Sequence, residues 1–584
     1  MQTYPKVSII IPFYNCQYVD QAIESALNQT YPNIEVVVVN DGSIRYTDKI
    51  RPYKNRIRYV EKSNGGTGSA LNAGIRQASG EYFSWLSSDD LYEKDKVAKQ
   101  IAYMQQTGAS ACYSSYVHID AQNQVISGPA GIYYPNKMEF YRTMQRGCFI
   151  NGCTVMLRMD VFRQVGLFNE SLKYTQDYDL WMRVLFHFDF EYLNEPIVKY
   201  RVHEAMGTKN FEPAIQKEIL KVQATYYQAL EQRIAKERLT VIIPILTLSM
   251  GGAQRMLAEL ANGLTRLGHQ VMILMPQNGA IEYSIQAKIV RTRQPYTIEE
   301  HDYPYGDVII SNFYSLVPAA ESASRNGKGV HVRLSLCYEP TFLPDNHITF
   351  PTYHVTKHLI VLSSWQQQLI KLNHGIEGHI VPVGVSSSFT NYRIRKPHEQ
   401  IQISAILRIP EGGYSWHREQ SYLVEQLEKV HKAYPQVRIN LFSPPNEFAA
   451  SVILKQIKAS HPAFRYLTPA NDTELCYHYN ETDIFVNSST YDTASLPGLE
   501  AMKCGAALVS TYGGGNLDYI RHEKNGLMSY RFEQRLASDV IRLIENPTLR
   551  NQLAEAGEQE AKQWTWERSV HAFEKALRQI AEKN

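Results

Sequence analysis

The sequence predicts an α/β protein built from several lobes, and three observations carry that reading. The chain has 584 residues, more than one hydrophobic core supports, so about three or four lobes are expected. Two buried-strand openings occur, Val7-Ser-Ile-Ile-Ile-Pro12 near the start and Leu239-Thr-Val-Ile-Ile-Pro244 in the middle. β-branched runs of this kind succeeded by helical periodicity mark parallel strands covered on both faces. The segments downstream of the two openings differ, so the halves are not copies of one another. Between them, residues 211–237 carry Ile215, Ile219, Val222 and Leu230 at helical spacing in a Glu-, Lys- and Gln-rich stretch, which predicts a linker helix. A further boundary falls near Tyr392, between Val381-Pro-Val-Gly384 and the strand-like run Ile401–Leu407. The expected parts are therefore 1–210, 211–237, 238–391 and 392–584.

Composition narrows the function. Hydrophobic residues at 44% and charged residues at 20% exclude a disordered or fibrous chain. A formal net charge of +2 leaves no basic footprint for nucleic acid. The seven cysteines are scattered and lack metal-type spacing, which points to a reducing compartment rather than a disulfide framework. No run approaches the roughly 18 apolar residues of a membrane span, and the apolar run Val7–Ile11 is broken by Pro12. Neither a signal peptide nor a transmembrane helix is expected, and the expected location is the cytoplasm, with peripheral contact at the membrane left open.

In the first half, Val36-Val-Val-Val-Asn-Asp-Gly42 is a buried strand closing on an acid. Open α/β sheets bind ligands at the carboxyl ends of strands, so Asp41 sits where a base or ribose is recognised; an Asp-Gly turn is the simpler alternative. Gly80-Glu-Tyr-Phe-Ser-Trp-Leu-Ser-Ser-Asp-Asp90 is a second strand, closing on paired carboxylates. Asp89 and Asp90 suit a hard divalent cation shared with a diphosphate, while a helix cap explains them equally. Thr175-Gln-Asp-Tyr-Asp179 opens a helix with Asp177, a carboxylate suited to take a proton from an attacking hydroxyl or simply to favour the helix N-terminus.

Taken in order, Val7–Asn15, Asn40-Asp-Gly-Ser43, Asn64-Gly-Gly66, Asn72-Ala-Gly74, Ser88-Asp-Asp90, Gln176-Asp177 and Tyr200-Arg-Val-His203 resemble the family 2 glycosyltransferases of GT-A fold, over roughly residues 5 to 210. The resemblance implies that Asp41 contacts the nucleotide base, that Asp89 and Asp90 form a metal-binding motif for Mg2+ or Mn2+ with His203 assisting, and that Asp177 is the general base of an inverting displacement. Two departures are Gln176, where the family often has Glu, and Leu71, where it has a basic residue.

The second half opens with Gly251-Gly-Ala-Gln-Arg255 at a helix start, where backbone N–H groups can approach an anion or a sugar hydroxyl. Downstream, Asp483-Ile-Phe-Val-Asn487 runs through a polar loop into a helix near Pro497 that carries Glu500, and Gly513-Gly-Gly515 supplies a further glycine loop. This half resembles the family 4 glycosyltransferases, whose GT-B fold pairs two Rossmann-like lobes, over about residues 238 to 580. The fold class expected is thus α/β, a GT-A nucleotide-sugar-binding domain followed by a GT-B pair. By resemblance, Asp492 and Glu500 occupy the two acidic signature positions, with Glu500 on the donor ribose; Arg408 binds diphosphate; Gly251, Gly252 and Gly514 line the donor side; and transfer is retaining, with no metal. Asp492 is one methylene shorter than the family's Glu, a shift of roughly 1 Å that can cost ~10²-fold in rate. The family's lysine after Arg408 is missing, and Arg418 is the substitute. Glu339 is read either as part of the acceptor side or as a solvated loop acid.

The function expected from both resemblances is a bifunctional transferase taking UDP- or dTDP-sugars to a growing bacterial-type surface glycan, with a glycan or lipid-linked glycan as acceptor. Two other classes compete: an active first half joined to a catalytically dead glycan-binding or scaffolding module, and a nucleotide-binding sensor without turnover.

Overall fold

The computed structural model describes residues 4–203, 212–395 and 400–582. The chain divides into two compact units between Arg238 and Leu239.

The first unit is built on one eight-stranded mixed sheet, ordered β3-β2-β1-β4-β7-β6-β8-β5. Its strands are β1 (Val7–Phe13), β2 (Ile34–Asp41), β3 (Arg58–Lys62), β4 (Tyr82–Trp85), β5 (Leu91–Tyr92), β6 (Ala111–Ile119), β7 (Met156–Arg158) and β8 (Phe190–Arg201). β3, β2, β1 and β4 run parallel, so β2 and β4 bring their acidic ends to the same edge. The apolar run that opens the chain is the central strand: Val7, Ile9, Ile10 and Ile11 are fully buried. The helix Thr67–Gln77 lies so close above it that a Cβ on Gly74 would stand 2.4 Å from Ile10 Cγ2.

The helix expected to link the halves is Glu212–Glu237, and it is not a tether. Val222, Leu230 and Ile234 are buried in the core of the first unit. Arg233 donates to the Phe186 carbonyl at 2.9 Å, and Gln145 to Glu231 at 2.9 Å. The apolar stripe read as helical spacing is a docking face. Phe211, the first residue of the expected linker, lies outside the described residues.

The second unit contains two parallel sheets with helices on both faces. The first is ordered β11-β10-β9-β12-β13-β14-β15, from β9 (Thr240–Pro244), β10 (Gln270–Met275), β11 (Lys288–Arg291), β12 (Val308–Ser311), β13 (Val330–Ser335), β14 (Leu359–Val361) and β15 (His379–Ile380). The second is ordered β18-β17-β16-β19-β20-β21, from β16 (Gln402–Ile406), β17 (Arg438–Phe442), β18 (Arg465–Leu467), β19 (Ile484–Asn487), β20 (Ala507–Thr511) and β21 (Leu527–Ser529). Tyr392 stands between the two sheets.

The division into 238–391 and 392–584 needs one amendment. The helix Trp566–Ala581 returns to the first lobe, where Val570, Phe573, Leu577 and Ile580 join a core containing Val241 and Leu260. Two glycines permit the approach. A Cβ on Gly263 would meet Val570 Cγ2 at 2.1 Å, and one on Gly384 the Trp566 nitrogen at 2.4 Å. No helix among the described residues is long and apolar enough to cross a membrane.

Because Leu230 is fully buried, Leu230→Ala is expected to lower the stability of the first unit by about 2–5 kcal/mol in urea unfolding. A free linker helix would leave the transition where it was.

Candidate functional site

In the first unit, Asp41 ends β2 and is buried. Lys62 Nζ donates to its Oδ1 at 2.6 Å, Gly65 N–H to Oδ1 at 3.0 Å and Gly66 N–H to Oδ2 at 2.8 Å. Gly66 adopts φ +86°, a conformation other residues reach only with strain. The acid expected to meet a base therefore folds the Asn64-Gly-Gly66 turn onto the sheet edge, with a lysine partner that no motif in the sequence flags.

The paired acids after β4 divide. Asp90 is 1% exposed; its Oδ1 accepts the Arg201 N–H at 2.8 Å and its Oδ2 the Cys153 thiol at 3.1 Å. Burial and the adjacent Asp89 charge hold its carboxyl well above the ordinary range. Both oxygens of Asp90 are thus turned inward, away from the open ligand position expected of it. Asp89 is half-buried, with its Oδ2 3.1 Å from His203 Nε2. Arg201 joins them: its Nε donates to the Asp89 carbonyl at 2.7 Å, Nη1 to the Asp120 carbonyl at 2.9 Å and Nη2 to Gln21 Oε1 at 3.1 Å, and its guanidinium lies 4.2 Å from the centre of the Tyr18 ring. Among the described residues no cluster of three or more His, Cys, Asp or Glu is suited to a metal ion. Of the pair, Asp89 is the acid whose chemistry fits a cation such as Mg2+, which binds through one or two carboxylates and completes its shell with phosphate and water.

Asp177 is the second residue of the helix Gln176–Leu185. Its Oδ1 accepts the Tyr178 N–H at 2.8 Å, and burial pushes the carboxyl up to about 6. Asp179 belongs to the scaffold, bound by Arg183 at 2.7 Å and Tyr226 at 2.9 Å. A Cβ on Gly68 would come within 3.3 Å of Gln176 Cγ, so that glycine lets the two helix starts meet beside Asp177. Leu71, where a basic residue was expected, is fully buried in the core.

In the second unit, Glu500 lies in the short helix Leu496–Lys503 and is 7% exposed. The Tyr479 hydroxyl is 3.5 Å from Oε2, and Arg255 Nη1 is 4.0 Å from Oε1. Burial pushes this carboxyl up to about 7 against the pull of Arg255. Asp492 Oδ1 accepts the Ser495 N–H at 2.9 Å, which shapes the turn into that helix. Its neighbours reach across to the first lobe: the Tyr491 hydroxyl donates to the Tyr338 carbonyl at 3.0 Å, and Thr493 Oγ1 donates to the Leu336 carbonyl at 3.0 Å. The Asp492 N–H donates to Gly513 O at 2.6 Å. Gly514, at φ +100°, lies where a Cβ would stand 2.5 Å from the Trp365 ring.

The two candidate phosphate-binding arginines exchange ranks. Arg408 Nε donates to both oxygens of Glu447 at 2.9 Å, so it is already engaged. Arg418 has no hydrogen bond or ion pair of its guanidinium among the described residues; burial holds its pKa below the ordinary arginine range, opposed by the charge of Asp492. The Gly251 N–H donates to the Tyr283 hydroxyl at 3.0 Å, while a Cβ on Gly252 would meet open space at the start of the helix Gly252–Leu267. Glu339 is no solvated acid: it is 1% exposed and accepts Arg333 Nη2 at 2.5 and 2.6 Å and the Tyr353 hydroxyl at 2.8 Å.

A family model described as glycosyl transferase family 2 matches residues 8–166, and one described as glycosyl transferases group 1 matches residues 417–560. An uncharacterized glycosyltransferase of Haemophilus influenzae is 30% identical over 244 residues, covering 39% of this chain and 76% of that relative. The chain belongs to the glycosyltransferases. This glycosyltransferase joins a GT-A unit to a GT-B pair of Rossmann-like lobes. An uncharacterized glycosyltransferase of Rickettsia typhi is 44% identical over 210 residues, 35% of this chain and 66% of the relative. The chondroitin synthase of Escherichia coli is 34% identical over 227 residues, 37% of this chain and 32% of that enzyme. The chain therefore spans just under two thirds of the Rickettsia relative's length and about a third of the synthase's.

Arg418→Met is expected to weaken UDP binding in EDTA by about tenfold or more, the scale of a lost charged hydrogen bond. Arg408→Met should act mainly on stability, since it strands Glu447; titration calorimetry beside thermal unfolding separates the two.

Proposed function

We propose that this glycosyltransferase is bifunctional, transferring sugars from nucleotide-sugar donors, UDP- or dTDP-sugars at the first site, to a growing bacterial-type surface glycan. The observation that carries the proposal is the presence of two separate polar sites of different build, each at the carboxyl edge of its own sheet system. Similarity of part of the chain to a chondroitin synthase supports a polymer-building role. A glycan or lipid-linked glycan is the acceptor, and a lipid-linked one places the chain at the inner face of the cell membrane, on the cytoplasmic side.

At the first site Asp177 takes the acceptor proton as its oxygen attacks the anomeric carbon from the face opposite the leaving diphosphate, which inverts configuration. Asp89, assisted by His203, would hold Mg2+ or Mn2+, whose charge would offset that of the diphosphate. Asp90 and Arg201 fix the loop that presents Asp89, and Asp41 with Lys62 shapes the base side of the pocket. A single positioned carboxylate serves one displacement, and no covalent sugar intermediate is invoked.

At the second site Glu500 accepts the donor ribose hydroxyls, Arg418 neutralises the diphosphate without a metal, and the Gly251–Gly252 helix start and the Gly514 loop border the donor. Asp492 supports a retaining transfer at the sugar end. A second reading has two specific observations in its favour: Asp492 already accepts a backbone N–H in the turn before the helix, and Arg408 is tied to Glu447. In that reading the second unit binds glycan without turnover.

Donor turnover across a panel of nucleotide sugars, with and without EDTA, tests the proposal. Two activities should separate, one metal-dependent and lost in Asp89→Ala and Asp177→Asn, the other metal-independent and lost in Glu500→Ala. If Glu500→Ala changes nothing with any donor, the second unit is a binding module.

The pH profile supplies a separate check. The carboxylate form of Asp177 is lost as pH falls through about 6, so the metal-dependent rate should drop about tenfold per unit below that point. A flat profile down to pH 5 removes Asp177 as the base.

A further inference from the structure

Glu500 is a buried carboxyl in the second lobe, and among the described residues one hydrogen bond reaches its side chain, from Tyr479 at 3.5 Å. To accept the vicinal hydroxyls of a ribose it has to be ionised, because a protonated carboxyl gives up part of its acceptor capacity. Burial opposes ionisation, and among its described residues the second lobe supplies no cation in contact with it. The facing groups of that lobe are Asp472 and Tyr479 on the helix Asp472–Glu481, and Cys504 one turn further along its own helix. Arg418 faces Tyr479 from the loop after β16.

The nearest cation comes from the other lobe. Arg255 stands in the first turn of the helix Gly252–Leu267, where its N–H donates to the Gly251 carbonyl at 2.9 Å. Its Nη2 binds Asp472 Oδ1 at 2.8 Å, and its Nη1 lies 4.0 Å from Glu500 Oε1. Asp472 aims the guanidinium, and the side chain is 19% exposed, so solvent screens the interaction only in part. The contact exists only while the lobes are together, since Arg255 and Glu500 are carried by different sheets.

We propose that Arg255 is a positioning residue through which the first lobe keeps Glu500 ready for the donor ribose, so that nucleotide binding in the second lobe depends on closure of the first. This rests on the reading of Glu500 as the ribose partner. Opening the lobes removes the cation from Glu500, which favours the protonated form of the carboxyl and weakens its hold on the nucleotide. Binding and closure then favour each other by linkage.

The test is titration of the full chain with UDP, GDP and ADP in turn, in EDTA, from pH 5.5 to 9, for wild type, Arg255→Met, Arg255→Lys and Glu500→Ala. The binding lost in Glu500→Ala defines the second site. An opposite charge within ~4–6 Å shifts a carboxyl by about one unit or more. The Glu500 carboxylate is lost as pH falls, and removing Arg255 moves that loss upward. Arg255→Met should therefore bind about tenfold more weakly than wild type near pH 6.5 and approach it at pH 9, and Arg255→Lys should recover most of the affinity. Equal affinity of Arg255→Met and wild type at every pH overturns the inference. So does a uniform weakening at all pH values, which marks a structural role. If Glu500→Ala binds all three nucleotides like wild type, the reading of Glu500 itself fails instead.

Discussion

Burying a strand on both faces leaves its ends as the only places where the chain can present polar side chains to a ligand. That constraint organises both units. β2 and β4 deliver Asp41 and the Ser88-Asp-Asp90 loop to one edge, and β16, β19 and β20 lead into the loops of Arg408, Asp492 and Gly514. The β-branched runs that make the cores are thus also what gathers the carboxylates. Close approaches allowed by glycines complete the packing: Gly74 against Ile10 and Gly68 against Gln176 in the first unit, and Gly263 against Val570 in the second.

The two sites solve the problem of holding like charges together in different ways. In the first unit the solution is local: one buried arginine, Arg201, ties Asp89, Asp120 and Gln21 by its side chain and Asp90 by its backbone. In the second, charge is balanced across two lobes, through Arg255 to Asp472 and Glu500, while Tyr491 and Thr493 fasten the Asp492 loop to residues 336–338. A site held within one sheet is ready before ligand arrives, whereas one assembled from two lobes is ready only when they close.

Much of this was legible in the sequence. The two apolar openings located β1 and β9, and the acidic motifs read at strand ends do close β2 and follow β4. What the residues could not disclose was direction. Asp89 and Asp90 are adjacent and chemically alike, yet one faces His203 and the other faces Cys153, because the turn closed by the Asp90 N–H on the Ser87 carbonyl at 3.2 Å parts the two side chains. Arg408 and Arg418 are indistinguishable as letters; Glu447, far along the chain, engages the first and leaves the second without a partner among the described residues. For Glu339 a solvated acid stood as one of two readings because its partner Arg333 lies within an apolar strand. The helix expected over 211–237 showed its period but not what its stripe would meet.

The return of the helix Trp566–Ala581 to the first lobe ties that lobe's completion to the order of synthesis. Residues near 240 emerge from the ribosome some 300 residues before the segment that seals their core; at ~5–20 residues per second that is a wait of tens of seconds. During that interval Val241, Leu260 and Gly263 lack their final cover. The first unit draws its core from residues before 239 and can fold while the rest is still being made, so the nascent chain carries a folded first unit ahead of an unsealed second one.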